Sequence, residues 1–163
     1  MNLWVAMTWA TALVAAGCQS ARPDSSPREV APADAATSHV ILEPAASGPV
    51  GAVVRDALAR AGALGRRVVV YVGASWCEPC QRFHRAAEQG ELDATFPTLT
   101  LLVFDSDRDA KRLAEAGYTS KYIPAFMLPN VDGTSSGQRI QGGVKGEGAV
   151  AEIAPRLAEL LSR

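Results

Sequence analysis

The chain has 163 residues, enough for one domain of ordinary size with extra length at the ends. Hydrophobic residues make up 48% and charged residues 20%, an average globular balance that excludes full-length disorder. A net charge of -1, from 16 basic and 17 acidic residues, gives no field for gripping nucleic acid; 3 cysteines are too few for a disulfide-stapled miniprotein, and 2 histidines offer little for a multi-ligand metal site.

Residues 3–17 are almost wholly apolar, interrupted only by Thr8 and Thr11. As a helix they span roughly 22 Å, short of the ~30 Å hydrocarbon core, so the run reads as the apolar region of a signal peptide over residues 1–17. A buried apolar helix with an incidental cysteine is the alternative. The run ends in Ala15-Ala16-Gly17-Cys18, which resembles the lipobox of bacterial lipoproteins. That resemblance implies cleavage before Cys18, lipidation of its thiol, and a periplasm-facing, lipid-anchored protein of the cell envelope. Gln19, standing where an aspartate favours inner-membrane retention, points to the outer membrane.

Residues 19–36 are rich in Ala, Pro, Ser and Asp, with no aromatic residue and one large aliphatic, Val30. Such a stretch buries too little apolar area to offset the entropy of ordering its backbone, and reads as a flexible linker. The folded domain is expected over 37–163.

Val53, Ala57, Leu58, Ala61 and Leu64 lie at helical spacing, and Gly65 ends the pattern. Val68-Val69-Val70-Tyr71-Val72 is a β-branched run without polar alternation, as in a strand covered on both faces. A helix is expected over 78–89, a second buried strand over 99–104, and a helix over 108–116. A third strand follows over 125–128, then a turn at Asn130-Val131-Asp132-Gly133 and a weaker fourth strand over 139–144. Val150, Ile153, Leu157, Leu160 and Leu161 form one face of a last helix, which Pro155 should kink or split near Ala154. The alternation predicts an α/β domain with a mixed four-stranded sheet flanked by helices.

Trp76-Cys77-Glu78-Pro79-Cys80 falls at a strand-to-helix junction. If Cys77 opens the helix, its sulfur faces unpaired backbone N–H groups and the positive end of the dipole. Both favour thiolate, so the pKa should fall below the free value of ~8.5. Pro79 suits the first turn, where its missing N–H breaks no bond. Cys80, one turn further in, is placed to resolve a mixed disulfide that Cys77 forms. The Glu78 carboxylate should partly raise the thiol pKa.

This motif, together with Ile123-Pro124 ahead of a strand, resembles the thioredoxin superfamily over roughly residues 68–163. The resemblance implies a thioredoxin-like fold and a thiol–disulfide oxidoreductase, with Cys77 attacking and Cys80 resolving. It also implies a cis Pro124 against the cysteine pair, Ile123 bonded to an extended substrate segment, and Trp76 shielding the reactive sulfur. The partners implied are protein disulfide or thiol substrates and an unidentified electron donor or acceptor. No bound cofactor is implied, because both redox equivalents reside in the cysteines. Ile123 is the residue thioredoxin itself carries there, which favours a reductant. One departure matters: thioredoxin's buried aspartate six residues before the first cysteine is replaced by Tyr71, whose pKa near ~10 makes it a poor base, so resolution by Cys80 should be slow.

Other readings compete. The cysteines could form a structural disulfide in a non-catalytic client-binding module. Cys77, Cys80 and His84, with His39, could ligate a metal, although zinc usually gathers two close pairs. His84 otherwise reads as a packed, hydrogen-bonded helix residue. Asp105, Asp107 and Asp109 resemble part of a calcium loop but lack its glycine and closing glutamate, and are expected to end a strand and cap the next helix. Gly142-Gly143, Gly146 and Gly148 lack the order of a dinucleotide fingerprint. The aromatic residues lack the basic interleaving that base stacking requires.

Overall fold

A computed structural model describes residues 38–163. The signal peptide, Cys18 and the linker lie outside the described residues. In chain order the elements are β1 (Ile41–Pro44), α1 (Val50–Ala63), β2 (Arg67–Gly73), α2 (Glu78–Glu88), β3 (Leu99–Asp105), α3 (Ala110–Glu115), β4 (Ala125–Pro129), β5 (Ser135–Gln141) and α4 (Ala149–Leu161). No helix among the described residues is long and apolar enough to cross a membrane.

The sheet is mixed, in the order β1-β3-β2-β4-β5, with β1, β3 and β2 parallel and β4 and β5 antiparallel. It has five strands where the sequence predicts four. The extra strand, β1, is a four-residue edge strand, only half-buried and ending in Glu43 and Pro44. Those residues blunt an open edge, and they also erase the hydrophobic pattern that would announce a strand.

Strand β2 explains why its sequence shows no alternation. Val69 and Tyr71 face one core, shared with α2 and α4; Val68, Val70 and Val72 face the other, shared with α1 and α3. Both faces are covered, so both sets of positions are apolar. The two cysteines belong to the first of these cores.

Two further expectations are corrected. Helix α4 runs unbroken through Pro155. Pro155 and Ala151, whose carbonyl loses its helical partner, are both on the exposed side, while Ile153, Leu157 and Leu160 are fully buried. Water can satisfy the freed carbonyl, and three buried side chains at about 1.5–3 kcal/mol each outweigh about 3 kcal/mol for an interior proline. Strand β5 starts at Ser135, earlier than predicted, and ends at Gln141. Its opening Ser135-Ser136-Gly137-Gln138 carries no apolar signal, and Ser135 pairs with Pro129 across an irregular register. The predicted turn is present: the Asn130 N–H donates to Thr134 O, and Gly133 takes φ 84°.

Candidate active site

Strand β2 runs out at Gly73, and four residues later Cys77 is the N-cap of α2, with φ -84° and ψ 107°. Its Sγ accepts the Cys80 backbone N–H at 3.3 Å, and the two sulfurs are joined as a disulfide. The anticipated contact between sulfur and an unpaired helix-start N–H is thus realised, and Pro79 occupies the first turn, where it removes no helical bond. Both cysteines are buried. In this oxidised state Cys77 exposes 4% and Cys80 3% of its surface, since both pack into the core beneath α2.

Glu78, between them, does not stand free beside the sulfur. Its carboxylate accepts Arg82 Nε at 2.7 Å and the Gly146 N–H at 3.1 Å, which ties the start of α2 to the loop before α4. The Arg82 bond, assisted by Gly146, keeps the Glu78 carboxyl below its ordinary value. Its charge is therefore shared with a cation, which weakens its effect on the neighbouring thiol. Trp76 is 67% exposed, and its indole Nε1 donates to Asp107 Oδ2 at 2.7 Å, so the ring is held across the loop after β3.

The Ile123–Pro124 peptide is cis, immediately ahead of β4. Pro124 is buried, its carbonyl accepts the Gly142 N–H, and Ile123 packs against the core that contains both cysteines and Tyr71.

Tyr71 is 1% exposed, with its ring 5.0 Å from those of Phe126 and His84 and 6.4 Å from that of Phe83. Its hydroxyl has no hydrogen-bond partner among the described residues, and burial pushes the phenol far above its ordinary pKa. It stays neutral and cannot act as a base, as its sequence position suggests. The hydroxyl lies against Gly73, where a Cβ would stand 2.6 Å away. Beside it opens a cavity of about 500 Å³ lined by Tyr71, Gly73, Cys80, His84, Asp105 and Arg108, among others. His84 is packed as expected, but neither ring nitrogen is hydrogen-bonded within the described residues.

The three aspartates build a turn. Asp105 accepts the backbone N–H groups of Asp107 and Arg108, both at 2.9 Å. Asp109 stands at the N-cap of α3 yet caps nothing with its side chain. It is 2% exposed and accepts from Arg108, Arg112 and the Asp105 N–H. Burial alone would raise its pKa, but these donors hold it well below the usual carboxylate range. Arg112 also donates to the Ala46 and Gly48 carbonyls, locking the loop before α1.

Against known proteins, no family model matches the chain, and no curated protein matches it. Among solved structures, oxidised thioredoxin O1 from Arabidopsis thaliana is similar at 19% identity over 76% of this chain and 96% of its own, with a TM-score of 0.44. Trxlp from Edwardsiella tarda EIB202 is similar at 22% identity over 75% and 99%, with a TM-score of 0.46, and the thioredoxin of Trichomonas vaginalis at 18% over 76% and 96%, with 0.48. These likenesses are loose. The chain itself supplies what the two motifs imply: a disulfide at the first turn of the helix that follows the central strand, and a cis proline opening the next strand of the sheet. The fold is thioredoxin-like.

Within this thioredoxin-like fold the ligand set that would include His39 is not assembled. His39 borders a cavity with Ala87, Gln89 and Asp93, at the opposite end of α2 from Cys77. Three participants escape sequence reading. The Glu78–Arg82 pair has a visible i,i+4 spacing. Asp107 and Gly146 carry no local signal, because they reach Trp76 and Glu78 across 31 and 68 residues of chain.

Proposed function

We propose that the chain is a membrane-tethered thiol–disulfide oxidoreductase, working as a disulfide reductase on proteins of the cell envelope. The observation that carries this reading is the Cys77–Cys80 disulfide at the N-cap of α2, with the Cys77 sulfur accepting a helix-start N–H. That N–H and the helix dipole favour the thiolate on the cysteine nearer the helix end. In the reduced protein Cys77 attacks a substrate disulfide, expelling one substrate thiolate and forming a mixed disulfide. Cys80 then attacks Cys77 Sγ, releases the second substrate thiolate and regenerates the internal disulfide. An external thiol donor returns the electron pair, and no bound cofactor takes part. Trp76 and Tyr122 are exposed and adjoin Cys77 and Ile123 in the chain, so they form part of the rim a client would touch. Ile123 would hold the client's extended segment, and Cys18 would carry the lipid.

The low exposure of both cysteines favours one other reading, a non-catalytic module that holds clients on the Ile123–Pro124 face. Turnover of insulin disulfides separates the two, measured in a Cys18→Ser background with and without Cys77→Ser. Reduction that depends on Cys77 is expected. Client binding without turnover, or turnover that survives Cys77→Ser, overturns the oxidoreductase reading. The tether is tested by incorporation of labelled palmitate, expected in the wild type and absent from Cys18→Ala.

A further inference from the structure

With Tyr71 unable to serve as a base, the resolving step needs another proton acceptor. Resting on the oxidoreductase reading above, we propose that His84 accepts the Cys80 thiol proton across the cavity beside the disulfide, through water ordered by the Tyr71 hydroxyl.

Four observations converge on it. His84 follows Cys80 by four residues on α2, so the two side chains share a helix face. Both line the same cavity of about 500 Å³, which is large and polar enough to hold several waters. The Tyr71 hydroxyl, on a side chain that is 1% exposed, borders this cavity without a partner among the described residues, an arrangement that calls for water. The His84 ring lies 5.0 Å from the Tyr71 ring with both nitrogens unclaimed by the described residues.

The other charged groups around the cavity are less suited. From α2, Arg85 and Glu88 are exposed, and Glu88 lies a further turn beyond His84. From the end of β3 and the following turn, Asp105 is occupied by two backbone N–H groups and Arg108 by Asp109. Burial lowers the His84 pKa, opposed by Glu88, so the imidazole is neutral and able to accept a proton at neutral pH.

The step balances. The Cys80 S–H proton passes to a His84 ring nitrogen, and the sulfur electron pair attacks Cys77 Sγ. The Cys77–Cys80 bond forms as the Cys77–substrate bond breaks, and the departing thiolate takes the proton back from the imidazolium or from water. The slow resolution expected from Tyr71 alone is thereby relieved.

Stopped-flow reaction of the reduced Cys18→Ser protein with excess 5,5′-dithiobis(2-nitrobenzoate) tests this. The first release of thionitrobenzoate depends on reagent concentration and reports loading of Cys77; the second is unimolecular and reports attack by Cys80. The second rate is expected to rise with pH and level off below the ordinary histidine value of about 6.5. In His84→Gln it is expected to fall about 100-fold at pH 7 and to climb without levelling until the thiol range near ~8.5. Wild-type protein that never loads Cys77 overturns the oxidoreductase reading and this proposal with it. Normal loading with no bend in the wild-type profile, or with the same profile in His84→Gln, overturns the proposal alone. Should His84→Gln fail to fold, the wild-type bend decides.

Discussion

Replacing Gly73 with alanine places a methyl group 2.6 Å from the Tyr71 hydroxyl oxygen and 3.0 Å from ring atoms Cε1 and Cζ. Phe83, His84 and Phe126 hem the ring in and it is 1% exposed, so it can yield only toward the cavity its hydroxyl borders. Overpacking of this kind costs about 1–3 kcal/mol, while the reduced freedom of the unfolded alanine chain returns about 0.4–1 kcal/mol. Gly73→Ala should therefore destabilise by about 1–2 kcal/mol. Tyr71→Phe removes the oxygen at 2.6 Å but leaves the carbons at 3.0 Å, so in that background the loss should fall by about half. Alone, Tyr71→Phe deletes a buried hydroxyl that has no partner among the described residues and should be neutral or stabilising by up to about 1 kcal/mol. The coupling expected in the four-member cycle is about 1 kcal/mol, within the range for touching residues. Urea unfolding of the oxidised proteins, followed by circular dichroism, reads this as a midpoint shift of about 0.5–1 M. Additivity within about 0.3 kcal/mol would refute the steric account, as would a Gly73→Ala protein as stable as the parent.

Asp109 has a folded-state pKa held below its unfolded value of about 3.9, so its contribution is present above that value and is lost as pH falls through the folded pKa. Asp109→Asn should lower stability by about 3 kcal/mol at pH 7, by replacing the carboxylate that Arg108 and Arg112 share with a neutral amide, and the gap to wild type should narrow on acidification from about pH 4 toward pH 2. Thermal melts across that range check both the size and the direction. Pro155→Ala should stabilise the protein by about 1–3 kcal/mol, since α4 already runs unbroken through this exposed position. A neutral result in chemical unfolding would mean that the proline costs the helix nothing.

The parts of the fold legible in the sequence are those whose physics is local. Strand β2 declares itself through consecutive β-branched residues, α2 through Cys77 and Pro79 at its start, and the β4–β5 turn through Asn130 to Gly133. Strand β1 and the first half of β5 are stabilised by pairing with neighbours and carry too little apolar periodicity to be seen. The same division holds at the site. Cys77 and Cys80 stand out because spacing and residue type place them at a strand-to-helix junction, and Ile123 and Pro124 because of the resemblance that pair completes. The burial of the disulfide, the anchoring of Trp76 by Asp107, and the hold of Glu78 on Gly146 all depend on chain segments far apart in sequence. The unbroken α4 shows the converse: a local rule against proline yields to three fully buried side chains on the opposite face.

Strand β2 has a neighbour on either side and a hydrophobic layer above and below. Amide exchange along it should be the slowest in the molecule, because no path of local unfolding reaches it without first peeling away β1 or β5. The reactive corner is thus mounted on the last piece of backbone to open. Thermal fluctuations that loosen the periphery leave the geometry of the Cys77–Cys80 corner unaltered.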